Sequence, residues 1–142
     1  MPTTELTEEQ SMELVQNALV GRIVTTVEDF VSIHPVSHTV IDGAVYFRTV
    51  PGDKLAALTI NAAVLFEADG ITEDSAWSVV IRGYARRVDD DPTAIDGIVP
   101  RLRRPYLGGR REAIVRITPE SISGRIFVPA GDDEDEFLEP TD

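Results

Sequence analysis

The chain contains no cysteine, which excludes a disulfide, a thiol nucleophile and a thiolate metal site. Histidine is nearly as scarce: His34 and His38 are the only imidazoles, so no dedicated zinc or iron centre is expected. No run of about 18 or more apolar residues occurs. The first twenty residues also lack a basic start followed by an apolar block. Neither a membrane span nor a secretory signal is therefore indicated, and a soluble, cytoplasmic protein is expected. Positive charge is in short supply, with 13 Lys and Arg against 25 Asp and Glu, a formal net charge of -12. A nucleic-acid backbone would be repelled at long range, which argues against such a partner.

The acidity is uneven. Residues 130–142 hold seven acids and no base, leaving eighteen acids against thirteen bases in residues 1–129. The body is thus only mildly acidic. At 142 residues the chain suits one domain with one core. The expected organisation is a folded unit over residues 1–129 and an acidic, flexible tail over 130–142, whose only large apolar residues are Phe137 and Leu138.

Along the body, Thr7 and Gln10 have the spacing of a capping box. Met12, Val15 and Leu19 follow at helical spacing until Gly21 offers a stop. The period then changes. Ile23 to Val27 is β-branched throughout, Glu28-Asp29 can turn, and Phe30 to Ile41 is again rich in strand formers. Asp42-Gly43 is the strongest hairpin signal, because a type I′ turn needs positive φ at both central residues, and it leads into Val45 to Thr49. A short helix is expected from Lys54 to Ile60, then a strand over Ala63 to Ala68 and a long one over Ala76 to Asp89, where Gly83 permits a bend or bulge. Asp91-Pro92 has the form of an N-cap with Pro at the first helical position, opening a brief helix through Val99. Two last strands are expected, Ala113 to Ile117 and Ile122 to Val128, separated by a turn at Thr118-Pro119-Glu120. Hairpin-linked strands with one helix inserted after the third point to a mainly β, antiparallel barrel with short flanking helices, since alternating βα units are missing.

Chemistry concentrates in Arg48-Thr49-Val50-Pro51-Gly52-Asp53-Lys54. Two cations, a hydroxyl and the backbone N–H groups of a helix start within seven residues suit a phosphate or similar dianion. The same residues also fit an ordinary turn into a capped helix. His34 and His38, four apart on a strand, are too distant to chelate one metal, although histidine is a residue type that can donate a proton or hydrogen bond. Arg101, Arg103, Arg104, Arg110 and Arg111 stand out in an acidic chain, as an anion receptor or as a solvated loop. No Ser-His-Asp or paired-carboxylate constellation has a usable spacing.

The order of these pieces resembles the pyridoxamine 5′-phosphate oxidase-like, flavin-binding split β-barrel family, and its small single-domain members above all. The resemblance covers roughly Glu9 to Val128. It rests on the leading helix, Gly21-Arg22-Ile23-Val24-Thr25-Thr26, His34-Pro35-Val36, the Asp42-Gly43 hairpin, Tyr46-Phe47-Arg48-Thr49 with Gly52-x-Lys54, Leu65-Phe66-Glu67 and Trp77 to Gly83.

The resemblance implies a split barrel that forms a homodimer and binds FMN between subunits. Thr49 and Lys54 would hold the phosphate, beside Arg48 and flanked by Phe47 and Leu55. The ring would lie along Pro35, Val36, Ser37 and His38, with Trp77 and Ser78 touching it across the dimer interface. It further implies flavin-dependent redox chemistry on a small molecule. Two alternatives stay open: an F420-dependent reductase on the same fold, or a non-enzymatic protein that either carries flavin or haem or serves as an interaction module without cofactor. The C-terminal Trp and Arg residues that complete the pyridoxal phosphate site of full-length oxidases have no counterpart in Ser123-Gly124-Arg125-Ile126-Phe127.

Overall fold

The computed structural model describes residues 3–102 and 112–129. In chain order they form β1 (Thr3–Leu6), α1 (Glu8–Asn17), β2 (Val20–Val27), β3 (Phe30–Ile41), β4 (Ala44–Thr49), α2 (Asp53–Ile60), β5 (Ala63–Ile71), β6 (Ala76–Arg87), α3 (Pro92–Ile95), a 3-10 turn (Val99–Arg101) and β7 (Ala113–Phe127). The strands run β7-β4-β3-β2-β5-β6, and pairing of β6 with β7 closes the ring into an antiparallel barrel. This is the split barrel expected from the sequence.

Local signals account for most of the elements. Thr7 and Gln10 make both capping-box bonds, Gln10 N–H to Thr7 Oγ1 at 3.1 Å and Thr7 N–H to Gln10 Oε1 at 2.9 Å. Asp42 and Gly43 both have positive φ, 51° and 79°, as the tight β3–β4 turn requires. Asp91 caps α3 through the Thr93 and Ala94 amides. The helix beyond it ends at Ile95, and the backbone turns again as the 3-10 segment at Val99.

Two expectations are corrected. Helix α1 ends at Asn17 rather than at Gly21. Gly21 is instead a β2 residue packed beneath the Phe66 ring, with no room for a Cβ. The last two strands are one, β7, with no turn between them. Gly83 of β6 pairs with Pro119 and Arg82 with Ser121, so Glu120 is the extra residue of a β-bulge. Proline is tolerated at such a bulge, and a Cβ at Gly83 would run into the Thr118 carbonyl. The length of β7 also serves closure. Its first half bridges β4 and β6, and its second half lies between β6 and the short strand β1.

Inside the barrel, Ile23, Val45, Phe47, Phe66, Val79, Ile81, Val115 and Ile117 form the core, plugged at one end by Val15 of α1. A smaller cluster of Ile41, Tyr46, Val88, Leu102 and Ile114 lies outside β4 and β7, beneath the α3 segment. Among the described residues, no helix is long and apolar enough to cross a membrane. The acidic segment 130–142 lies outside the described residues.

Candidate functional site

Strand β3 changes partners midway. Phe30 to Ser37 pair with β2, whereas His38 to Ile41 pair with β4. Past the His38–Phe47 pair the two strands separate, and Arg48 and Thr49 stay in register with β7. The separation opens a cavity of about 500 Å³. It is lined by His34, Pro35, Val36 and Ser37 on one side and by Arg48, Thr49 and Val50 on the other. Gly52, Asp53 and Lys54 at the start of α2, together with Glu112, complete the wall. Along this part of β3, the backbone groups that do not face β2 have no ladder partner among the described residues, so they are available to a ligand.

The cationic side of the cavity is under-satisfied. The first intrahelical bond of α2 runs from Ala56 N–H to the Gly52 carbonyl at 2.9 Å, and Gly52 provides no side-chain cap. The amides before Ala56 therefore have no helical acceptor. Burial pushes the Lys54 amine below its usual pKa. Its Nζ stands 5.8 Å from the centre of the Phe47 ring, and it makes no ion pair among the described residues. One Arg48 nitrogen donates to the Val99 carbonyl at 3.2 Å. Its Nε is buried without an acceptor among the described residues. Thr49 is buried, and among the described residues its hydroxyl makes one long contact, 3.3 Å to the Val50 carbonyl. Two cations, a hydroxyl and free amides thus converge on one space, as an oxyanion site requires.

The other candidates fall elsewhere. His38 is fully buried and donates from Nε2 to the Val15 carbonyl at 2.7 Å, with its ring edge-on to Phe66 at 5.0 Å. It belongs to the core of this chain, while His34 on the same strand face lines the cavity. Phe47 and Leu55 are core residues, and neither lines the cavity. Trp77 and Ser78 sit on β6, opposite Gly70 and Asp69 of β5, and do not line this cavity in the single chain. Arg101 lies in another groove beside Glu8, Glu9, Glu13 and Asp42, and the remaining arginines of its cluster lie outside the described residues. Asp53 and Glu112, absent from the candidates, place two carboxylates in the wall. Asp53 was within the loop already singled out. Glu112 carried no local signal, because it arrives through the pairing of Thr49 with Ala113.

Residues 7–126 match the family model described as pyridoxamine 5′-phosphate oxidase. The chain belongs to that family. Among the oxidase family's solved structures, a Corynebacterium glutamicum protein named for the same oxidase is 36% identical, with a TM-score of 0.78 over 89% of this chain and 99% of that one. The FAD binding protein from Mycobacterium smegmatis is 35% identical, with a TM-score of 0.77 over 88% and 98%. The uncharacterized Mycobacterium tuberculosis protein Rv0080 is 32% identical over 127 residues, 84% of this chain and 82% of its own length. This member of the oxidase family keeps the barrel with its split between β3 and β4.

Proposed function

We propose that the protein is a flavin-dependent oxidoreductase acting on a small molecule. It holds the phosphate of FMN with Thr49, Lys54, Arg48 and the first amides of α2. The observation that carries this reading is the convergence of the buried, acceptor-free Arg48 Nε and the half-buried, unpaired Lys54 amine on the cavity in the split. Desolvating a cation without a counter-charge is costly, and a bound dianion removes that cost for both groups. The ring then lies toward Pro35, Val36 and Ser37, where backbone groups of β3 are free to meet it. When bound, the flavin supplies hydride or electron transfer, and the chain supplies anchoring and orientation.

A homodimer is part of the same reading. Val31 and Ile33 are 60% and 65% exposed on the outer face of β3, beside Val24 and Leu65 in the β2 and β5 register. An apolar patch on that scale is a surface for a second copy. FAD in place of FMN is the second reading, favoured by the 35% identical relative whose name states FAD binding. F420 has less support, since Arg101 stands in a different groove from the cradle.

Absorbance titration of the purified chain with FMN, FAD and F420, repeated on Lys54→Ala, tests the proposal. Saturable FMN binding, weakened about tenfold or more by the substitution, is expected. Wild-type protein that binds none of the three overturns it.

A further inference from the structure

A second cavity adjoins the first. It measures about 300 Å³ and is lined by Thr25 and Val27 of β2, Phe30, Ser32 and His34 of β3, and Asp53, Ala56, Ala57 and Ile60 of α2. His34 and Asp53 line both spaces, so the cavities share a wall and His34 faces each of them. We propose that this second cavity binds a small, uncharged, largely apolar ring compound, and that His34 is the residue through which it abuts the cradle. Its role as the pocket for the reacting partner rests on the flavin reading above, but its occupancy does not.

The lining selects that chemistry. Its volume is at the small end of ligand sites, which run roughly 300 to 1,000 Å³ and are mostly apolar with a few polar groups. Val27, Phe30, Ala56, Ala57 and Ile60 form an apolar wall, with the Thr25 and Ser32 hydroxyls and the His34 ring as the hydrogen-bonding groups. No Lys or Arg lines it, and the Asp53 carboxylate does, so an anion would be repelled and left without a counter-charge. Phosphorylated or carboxylated compounds are therefore excluded from this pocket, in contrast to the cradle next door.

The rim supports the same conclusion. Phe30 is 73% exposed and Ile60 is 70% exposed, and both border the cavity. Large apolar side chains left open around a concavity leave apolar area for a ligand to cover. The pocket uses the Ser32 and His34 face of β3. Val31 and Ile33, on which the proposed dimer rests, stand on the opposite face, so the two apolar surfaces are distinct.

Saturation-transfer NMR on the full chain loaded with FMN tests this, with menadione as the uncharged probe and its sulfonated analogue as the anionic one. Menadione is expected to bind saturably and the analogue about tenfold more weakly or worse. Ala57→Leu keeps a strong helix former on α2 and fills the space, so it should weaken menadione about tenfold while leaving FMN affinity unchanged. Should that variant not fold, Ser32→Val on the opposite wall is expected to behave in the same way. Menadione binding that neither substitution alters, equal binding of the two probes, or no menadione binding to folded, FMN-loaded protein overturns the proposal. If FMN fails to bind while menadione still responds to Ala57→Leu, the flavin reading falls and the pocket stands.

Discussion

His38 reaches from β3 into the end of α1, its Nε2–H donating to the Val15 carbonyl at 2.7 Å. Helix α1 has no basic residue in its last turn, where carbonyls lack intrahelical donors. The Val15 carbonyl also accepts from the Ala18 amide at 3.2 Å, so the barrel histidine adds a second, shorter donor and ties the helix to the core. His38→Ala should destabilise the fold by about 2–4 kcal/mol, combining a cavity, a lost hydrogen bond and a lost ring contact with Phe66. His34→Ala, at a half-buried position beside the cavity, should cost under about 1 kcal/mol. Urea denaturation of the two variants checks the contrast. Equal losses would mean that the two rings are not divided between core and cavity.

Lys54 carries an opposite pair of effects. Its amine is held below the usual value by burial, so the folded chain binds that proton less readily than the unfolded chain does. The resulting cost is fully present below the folded pKa and is relieved as pH rises from there toward the ordinary lysine range. Lys54→Met should consequently stabilise the ligand-free protein at neutral pH by roughly 0.5 kcal/mol, while weakening FMN about tenfold or more. Thermal melts with and without FMN read both effects. A destabilised ligand-free variant would show that Lys54 serves the fold and not the ligand.

Much of this arrangement was legible in sequence because it is local. Thr7 with Gln10, Asp42-Gly43 and Asp91-Pro92 each determine their own backbone within four residues, and the anion loop runs continuously from Arg48 to Lys54. What escaped was long-range. Gly83 marked the place of a bulge in β6, but that its extra residue is Glu120 of β7 follows only from pairing between strands far apart in sequence. The polar segment Thr3–Leu6 becomes a strand only because Gly124 to Phe127 offer it an edge. His34 and His38 share a face and a spacing. They differ only because β3 leaves β2 for β4 between Ser37 and His38, and no periodicity marks where a strand changes partner.

Asp89 predicts an acid-sensitive contact. Its carboxylate accepts from Arg87 at 2.8 and 2.9 Å and from the Ile114 amide at 3.1 Å. The Arg87 hydrogen bond, first, and the Ile114 amide hold its pKa below the usual carboxylate range, against the opposing effect of burial. The unfolded chain thus takes up this proton first as pH falls. The stabilisation is complete above the unfolded value and is lost as pH drops through the folded one. Asp89→Ala should cost about 1–2 kcal/mol at pH 7, chiefly through the Ile114 amide left without its acceptor. The gap from wild type should narrow below about pH 4. Urea midpoints at pH 7 and pH 3 test this, and a gap of constant size would show that the charge on Asp89 contributes nothing.

Ile33 decides whether the outer sheet face is an interface. It is 65% exposed and lies in register with Val24, which is in turn opposite Leu65. An apolar row crosses three strands there, close to the His34–Ser37 wall of the cavity. A stable contact needs about 800 Å² per partner, and a carboxylate buried at its centre without a counter-charge costs several kcal/mol. Ile33→Glu should therefore convert a dimer into a folded monomer at micromolar concentration, as measured by sedimentation or light scattering. If the second copy completes the flavin site, FMN affinity should fall in the same variant although every cradle residue is retained. A monomeric wild type would remove the dimer from the proposal. A dimer that dissociates without loss of FMN would show that one chain holds the cofactor alone.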